Sequence, residues 1–189
     1  MELIVLHSAR LHLRPWHDSD LASFAEMNGD PEVMRHFPAC LSTAESDALA
    51  QRVRAHFAEH GFGAWVLERH DQPGLIGVLG LLRVGFEAPF TPAVEITYRL
   101  HRAFWRQGYV LEAAQAALAF AFERLHLDEV VAFTVPANLP SRSVMQRLGM
   151  RHDSAGDFEH PRLPVGHPLR PHVLYRLARQ QWQERIDER

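Results

Sequence analysis

The chain has 189 residues, of which 47% are hydrophobic, enough for one sizeable hydrophobic core. Its net charge is −3, and 20 Lys and Arg residues are scattered among 23 Asp and Glu residues, which excludes a basic stripe for nucleic acid. No segment approaches the ~20 apolar residues of a membrane span, so we expect neither nucleic acid nor a membrane as a partner.

The cellular setting is predicted from the cysteine content and the first residues. The lone Cys40 cannot form an internal disulfide, and the apolar run within Met1–Leu6 is too short for a signal peptide. We therefore expect a cytoplasmic protein. Because no linker or internal repeat divides the chain, we also expect one domain over residues 1–189.

The first third of the chain predicts one strand and two helices. The strand covers Arg10–Pro15, where apolar and polar residues alternate, and a helix capped by Asp18 follows as far as Gly29. Ser42 and Glu45 form a capping box that opens a second helix, which ends at His60 before a glycine.

Three successive strands follow, over 63–69, 75–83 and 93–100. Residues 71–74, with the sequence Asp-Gln-Pro-Gly, are expected to form the turn between the first two strands. Apolar residues then recur every three or four positions from Leu111, which predicts a long helix with one buried stripe.

The last part of the chain predicts a strand over 130–135, a helix over 140–148 stopped by Gly149, and strands near 150–158 and 172–177. The whole pattern predicts an α/β fold with a mixed, mostly antiparallel, twisted sheet of about seven strands flanked by helices. The charged tail over 179–189 is expected to be either a solvated helix or a dimer contact.

An anion site is predicted where the strand over 93–100 leads into the long helix. The connecting residues are Trp105-Arg106-Gln107-Gly108-Tyr109-Val110, and successive backbone N–H groups converge there at a helix N-terminus. Gly108 has no Cβ and so allows an anion to come close. An ordinary helix-entry turn is the alternative interpretation.

Two segments resemble the GNAT acyltransferase superfamily, and within it the RimJ/RimL branch. They are EITYRLHRAFWRQGYVLEA and NLPSRSVMQRLGM, and they follow an Arg-Leu-x-Leu-Arg-Pro start. The resemblance implies a GNAT fold and acetyl-CoA as co-substrate. It implies that Asn138 binds the pantetheine arm, and that the diphosphate is held by Arg106, Gln107, Gly108, Tyr109 and Val110.

Three residues are candidates for the chemistry. Glu95 is either a base that removes the amine proton through water or an ordinary solvent-side strand residue, and the sequence favours neither. The resemblance implies that Ser141 protonates the leaving thiolate and that Asp157 holds a water, although a serine in a first turn also caps helices. Tyr98 and Trp105 are expected to pack rather than bind.

The predicted reaction is acetyl transfer from acetyl-CoA to a primary amine, which attacks directly in a ternary complex. The acceptor is a protein N-terminal α-amine or a small-molecule amine, because an α-amine with a pKa near 8 is more often neutral than lysine. Cys40 lies outside both motifs, so an acetyl-cysteine intermediate is not expected.

The sequence leaves one alternative function open and argues against a metal site. A non-catalytic acyl-CoA-binding regulatory module is the alternative function, because Val110 replaces a usual glycine or alanine and Met145 replaces a tyrosine that many GNAT enzymes use as an acid. A metal site among His152, His160 and the later histidines is not expected, because prolines separate them and no short paired spacing occurs. The predicted metal content is therefore none.

Overall fold

The computed structural model describes residues 4–187, which divide into two compact units. One unit contains the described residues up to 82 together with 97–117, and the other contains 83–96 and 118–187. The prediction of a single domain over 1–189 stays a prediction. Part of the Met1–Leu6 segment and the last two residues of the tail lie outside the described residues.

In the first unit neighbouring strands follow the order β1-β2-β3-β4-β5, and the pairs from β1 to β4 are antiparallel. Three-residue 3-10 turns precede α1 and α3. The elements are β1 (Leu6–His7), β2 (Leu11–Arg14), α1 (Leu21–Gly29), α2 (Thr43–His60), β3 (Ala64–Arg69), β4 (Gln72–Arg83), β5 (Val94–Leu100) and α3 (Tyr109–Ala119).

The second unit contains the start of β5 and the order β5-β6-β9-β7, with β8 also paired to β9. The β5–β6 pair is parallel, through Glu95 and Val131, whereas β6, β7 and β8 all run antiparallel to β9. The elements are β6 (Glu129–Thr134), α4 (Leu139–Leu148), β7 (Arg151–His152), β8 (Phe158–Glu159), β9 (Pro171–Ala178) and α5 (Arg179–Asp187).

These elements confirm the predicted α/β class with a mixed, mostly antiparallel sheet. Residues 4–187 contain nine strands, of which β1, β7 and β8 have only two residues each. None of the helices within this described range has both the length and the apolar composition needed to cross a membrane.

The helix boundaries follow local chemistry, and most of them are confirmed. Ser42 and Glu45 form the predicted capping box, in which the Ser42 N–H donates to the Glu45 carboxylate at 2.8 Å. Gly149 ends α4 with φ 87°, a left-handed conformation that a residue with a Cβ adopts only with strain. The cap predicted at Asp18 is wrong, because the Asp20 carboxylate accepts the His17 N–H at 2.7 Å and α1 begins after it.

Two turns differ from the sequence prediction. Strand β4 already begins at Gln72, paired with Arg69, so the turn is shorter than the predicted 71–74. The Glu68 carboxylate accepts the Gly74 N–H at 2.9 Å and so holds this segment in the strand. The strand predicted near 150–158 is two short strands, because the Asp153 carboxylate closes a turn between them.

Each unit has its own apolar cluster. In the first unit Phe24, Met27 and Val66 are buried together between α1 and β3. In the second unit Phe90, Val131 and Leu174 form the centre of an aromatic cluster. The predicted apolar stripe of the long helix is largely confirmed, since Ala114, Leu118 and Phe122 are buried, although α3 ends at Ala119 and a π-helical turn continues it.

Candidate active site

The predicted anion loop has an unusual backbone. Arg106 and Gly108 both have positive φ values, 61° and 82°, and α3 begins at the next residue, Tyr109. Within residues 4–187 the N–H groups of Gln107 and Gly108 have no hydrogen-bond acceptor. The first N–H groups of α3 also lack intrahelical partners, as at any helix start. The loop therefore presents several donors in succession, which suits the diphosphate of a CoA ester.

The loop is fastened to the β1–β2 turn by residues that the sequence analysis missed. Arg10 donates from Nη2 to the Gln107 carbonyl oxygen at 3.1 Å, and its guanidinium lies 4.4 Å from the centre of the Tyr109 ring. Arg10 Nε and the Ser8 hydroxyl each donate to the Glu112 carboxylate at 2.7 Å. Burial raises the pKa of Glu112, but these hydrogen bonds outweigh that effect and hold it below its usual value.

The side chains of the loop differ in their surroundings. Tyr109 is buried, so its ring packs and only its backbone is available to a ligand. Gln107 donates from its side chain to the Ala103 carbonyl oxygen at 3.0 Å, and Arg106 is exposed. Val110 is half-buried in the first turn of α3. The backbone and the charge of Arg106 are thus what the loop offers to an anion.

Glu95 lies on β5, opposite Val131 of β6. The residue is half-buried, while its neighbours Val94 and Ile96 are buried on the other face. Burial raises the pKa of the Glu95 carboxyl to about 7, although the Arg162 guanidinium opposes the shift. This carboxyl therefore differs from that of an ordinary solvent-side strand residue, whose pKa stays near 4.3.

Asn138 and Ser141 are joined at the start of α4. The Asn138 side-chain oxygen accepts the Ser141 N–H at 3.3 Å, and its amide nitrogen donates to the Thr134 hydroxyl at 2.9 Å. The helix-capping role that the sequence allowed for this turn is thus present, with Asn138 as the cap. Ser141 is half-buried in the same turn.

Asp157 is held within the segment that joins β7 to β8. Its carboxylate lies 2.9 Å from His152 Nε2 and accepts the Leu174 N–H at 2.9 Å. These contacts fasten the segment to β9. The predicted water-holding role of Asp157 stays a prediction.

The predicted residues fall in both units. Arg106 to Val110 belong to the first unit, and Glu95, Asn138, Ser141 and Asp157 belong to the second. Of the second set, the structure joins Asn138 directly to Ser141. Met145, where many GNAT enzymes have a tyrosine, is buried on the core side of α4.

The C-terminal histidines have separate environments. His152 pairs with Asp157, whereas His160 and His172 lie ring to ring at 5.0 Å in the aromatic cluster of the second unit. Burial, with His172 and Arg162 nearby, lowers the pKa of His160 to about 4, so this imidazole is neutral at pH 7.

The chain resembles known proteins in sequence and in fold. The family model described as "Acetyltransferase (GNAT) domain" matches residues 10–151. The chain is 30% identical over 184 residues to the FsC-acetyl coenzyme A-N(2)-transacetylase of Aspergillus fumigatus, covering 94% of this chain and 77% of that protein.

Two solved structures share the fold. A GNAT-family acetyltransferase from Bacillus anthracis has a TM-score of 0.77 at 21% identity, covering 94% of this chain and 99% of that one. RimJ of Mycobacterium smegmatis, in complex with CoA-disulfide, has a TM-score of 0.73 at 19% identity, covering 98% of this chain and 93% of that one.

The chain therefore belongs to the GNAT acetyltransferase family. It is an N-acetyltransferase that uses acetyl-CoA. The donor-rich loop before α3 fits the phosphate groups of this co-substrate.

Proposed function

We propose that this enzyme transfers the acetyl group to a weakly basic primary amine, which attacks acetyl-CoA directly in a ternary complex. The acceptor is a protein N-terminal α-amine or a small-molecule amine of similar basicity. The observation that carries this proposal is the Glu95 carboxyl, whose pKa burial raises to about 7. A base with this pKa is matched to an amine with a pKa near 8, and less well to lysine near 10.4.

Glu95 acts as the general base in this mechanism. The acceptor reacts as the neutral amine, whose nitrogen forms a bond to the thioester carbon, and Glu95 takes through water the one proton that this nitrogen then loses. The carbon–sulfur bond then breaks, and the CoA thiolate leaves with the electron pair. Ser141 supplies a proton to that thiolate, and Asp157 holds a water. Because a thiol has a pKa near 8.5, loss of the serine should have only a mild effect.

The loop Arg106–Val110 binds the diphosphate of acetyl-CoA in this proposal. The N–H groups of Gln107 and Gly108 donate to phosphate oxygens, and the exposed Arg106 adds a positive charge. Asn138 binds the pantetheine arm in addition to capping α4. The positive φ of Gly108 supports this role, because a left-handed residue in a turn is typical of the backbone concavities that bind anions.

The finer assignments are also proposals. Membership in the RimJ/RimL branch is supported by the two sequence motifs and by the likeness to a RimJ fold. A cytoplasmic location is supported by the lone Cys40. A homodimer in which the tail over 179–189 forms the contact is also a proposal. Trp182 of α5 lies 5.8 Å from the Phe122 ring of the same chain, whereas Ile186 is exposed.

The alternative is a non-catalytic acyl-CoA-binding regulatory module. It is favoured by Val110 at the loop and by Met145, which cannot serve as an acid. A regulatory module of this kind would bind acetyl-CoA but would not release CoA thiol when an acceptor is added. The substitutions Ser141→Ala and Glu95→Gln would then change neither acetyl-CoA binding nor thiol release.

A calorimetric titration with acetyl-CoA tests the cofactor site, with ATP as the competing ligand. Gly108→Glu should abolish binding because it adds a carboxylate and a strained φ to the loop. Gly166→Glu is the matched control, because Gly166 has the same φ of 82° and open space around it. Equal binding by wild type and Gly108→Glu would contradict the proposed site.

Release of CoA thiol with peptides and small amines as acceptors then tests the chemistry. Faster release with α-amines than with ε-amines at pH 7 is the expected result. Binding of acetyl-CoA with no thiol release from any acceptor would favour the regulatory module.

A further inference from the structure

Three imidazoles converge on one edge of the first unit. They belong to His7 of β1, His12 of β2 and His70 of the turn after β3, and their nearest ring nitrogens all lie within 4.8 Å of one another. His7 Nδ1 and His12 Nδ1 are 3.0 Å apart, and the ring centres of His12 and His70 are 4.2 Å apart. We call this group the histidine triad.

The sheet itself sets this convergence. His7 and His12 are cross-strand partners, and His12 is opposite Glu68, two residues before His70. Residues two apart on a strand share a face, so a diagonal neighbour of this kind is within reach of a long side chain. The His70 N–H donates to the Arg10 carbonyl oxygen at 3.0 Å, which fixes the turn against β2.

We propose that the histidine triad is a binding site for one late first-row divalent metal ion, of which zinc is the representative. Imidazole nitrogen is a preferred ligand for Zn²⁺, Ni²⁺ and Cu²⁺. Zinc–nitrogen bonds of about 2.0–2.1 Å in a tetrahedron place neighbouring nitrogens roughly 3.3 Å apart. The distance of 3.0 Å between the Nδ1 atoms of His7 and His12 is close to this value, and the 4.8 Å limit on all three pairs puts one shared ion within reach of side-chain rotations.

The surroundings of the triad suit an ion that enters from solvent. His7 and His70 are exposed and His12 is half-buried, which leaves the fourth coordination position to water. Glu68, opposite His12 in the register, is paired with Arg14 at 2.8 Å and is not a free ligand.

A bound ion would fasten β1 to β2 and to the turn after β3. The turn enclosed by His7 and His12 contains Ser8 and Arg10, which hold Glu112 of α3. Metal binding should therefore stabilise this corner of the unit. The inference does not depend on the proposed acceptor or mechanism, because its first readout is metal binding by the full chain.

The test is a titration of chelator-treated protein with Zn²⁺ by calorimetry, repeated with Co²⁺ and its visible absorption as the reporter of coordination. The expected result is one ion per chain and a rise of the melting temperature. His7→Ala and His70→Ala should each weaken Zn²⁺ affinity by at least about 10-fold, the smallest loss typical even for outer-shell partners.

His36→Ala is the matched control, since His36 belongs to the same unit and lies outside the triad. It should leave Zn²⁺ affinity unchanged. The proposal is overturned if the wild type takes up no Zn²⁺, or if the triad variants bind as tightly as His36→Ala. Because His7 and His70 are exposed, circular dichroism should show that their alanine variants fold. The half-buried His12 can be changed to alanine as a third variant, but the test does not depend on whether that variant folds.

Discussion

The Arg10 guanidinium donates from Nε to the Glu112 carboxylate at 2.7 Å, which ties the turn after β1 to the first turn of α3. The same guanidinium donates to the Gln107 carbonyl oxygen at 3.1 Å. The shape of the predicted diphosphate loop thus depends on a residue about one hundred positions earlier in the chain. Glu112 also places a negative charge near the helix start, and Arg10 compensates it before an anionic ligand arrives.

Arg10→Ala should weaken acetyl-CoA binding with little effect on folding. We expect a several-fold increase of KM for acetyl-CoA with a smaller change of kcat, because the loop loses an anchor and Glu112 is left uncompensated. Arg10 is 47% exposed, so the free energy of unfolding should fall by no more than ~1 kcal/mol. Steady-state kinetics and urea unfolding measure both effects. Arg52→Ala, an exposed change on α2, is the control; an equal KM in the two variants would contradict the prediction.

Glu95→Gln should change stability in a pH-dependent way. Folding raises the pKa of the Glu95 carboxyl from its usual value near 4.3 to about 7. The charged carboxylate therefore destabilises the folded state, and the free energy of unfolding falls as the pH rises from about 4.3 to about 7. The glutamine variant should therefore match wild type at pH 4 and be more stable above pH 7, by up to about 3 kcal/mol. Thermal unfolding at several pH values measures this difference, and Glu87→Gln, at an exposed glutamate of the same unit, serves as the control. A constant difference across the pH range would rule the prediction out.

The same substitution should alter the pH profile of the reaction. For wild type, kcat/KM should rise through a limb near pH 7, where Glu95 loses its proton. Glu95→Gln should lower the rate about 10²-fold or more and remove this limb, leaving only the titration of the acceptor amine. An unchanged limb near pH 7 in the variant would show that another group is the base.

Arg14→Met should be strongly destabilising. Arg14 is 12% exposed and Asp20 only 3%, and the two are 2.8 Å apart, with Glu68 as the second partner. Removing the guanidinium leaves a buried carboxylate without its counterion, which typically costs about 3–5 kcal/mol. Urea unfolding at pH 7 measures this loss. Arg35→Met, at an exposed pair with Glu32, should change stability by less than ~0.5 kcal/mol, and a comparable loss there would contradict the explanation.

Asn138 allows its capping and ligand roles to be separated. Asn138→Asp keeps an oxygen for the Ser141 N–H but removes the amide that donates to Thr134, whereas Asn138→Ala removes both. The alanine variant should lose about 1 kcal/mol of stability and the aspartate variant less. If the side chain also binds pantetheine, both variants should raise KM for acetyl-CoA. If the aspartate variant has the same KM for acetyl-CoA as wild type, then Asn138 only caps α4 and does not bind pantetheine.

Much of the fold and part of the site could be predicted from residues close together in the chain. The capping box of Ser42 and Glu45, the stop at Gly149 and the turn at Gly108 each depend on a few neighbouring residues. Backbone sterics and local hydrogen bonds act over that distance, so the sequence alone determined them. The alternation of apolar residues likewise determined most strands.

Other features were decided only by the tertiary structure. They are the ion pair of Arg10 with Glu112, the burial of the Glu95 carboxyl, and the histidine triad. Each of them forms because segments that are distant in the chain are paired or packed together. Strand register and the depth of burial set these contacts, and neither is encoded in the spacing of residues along the chain. The family of the enzyme was thus readable from local motifs, whereas the raised pKa of Glu95 required the folded chain.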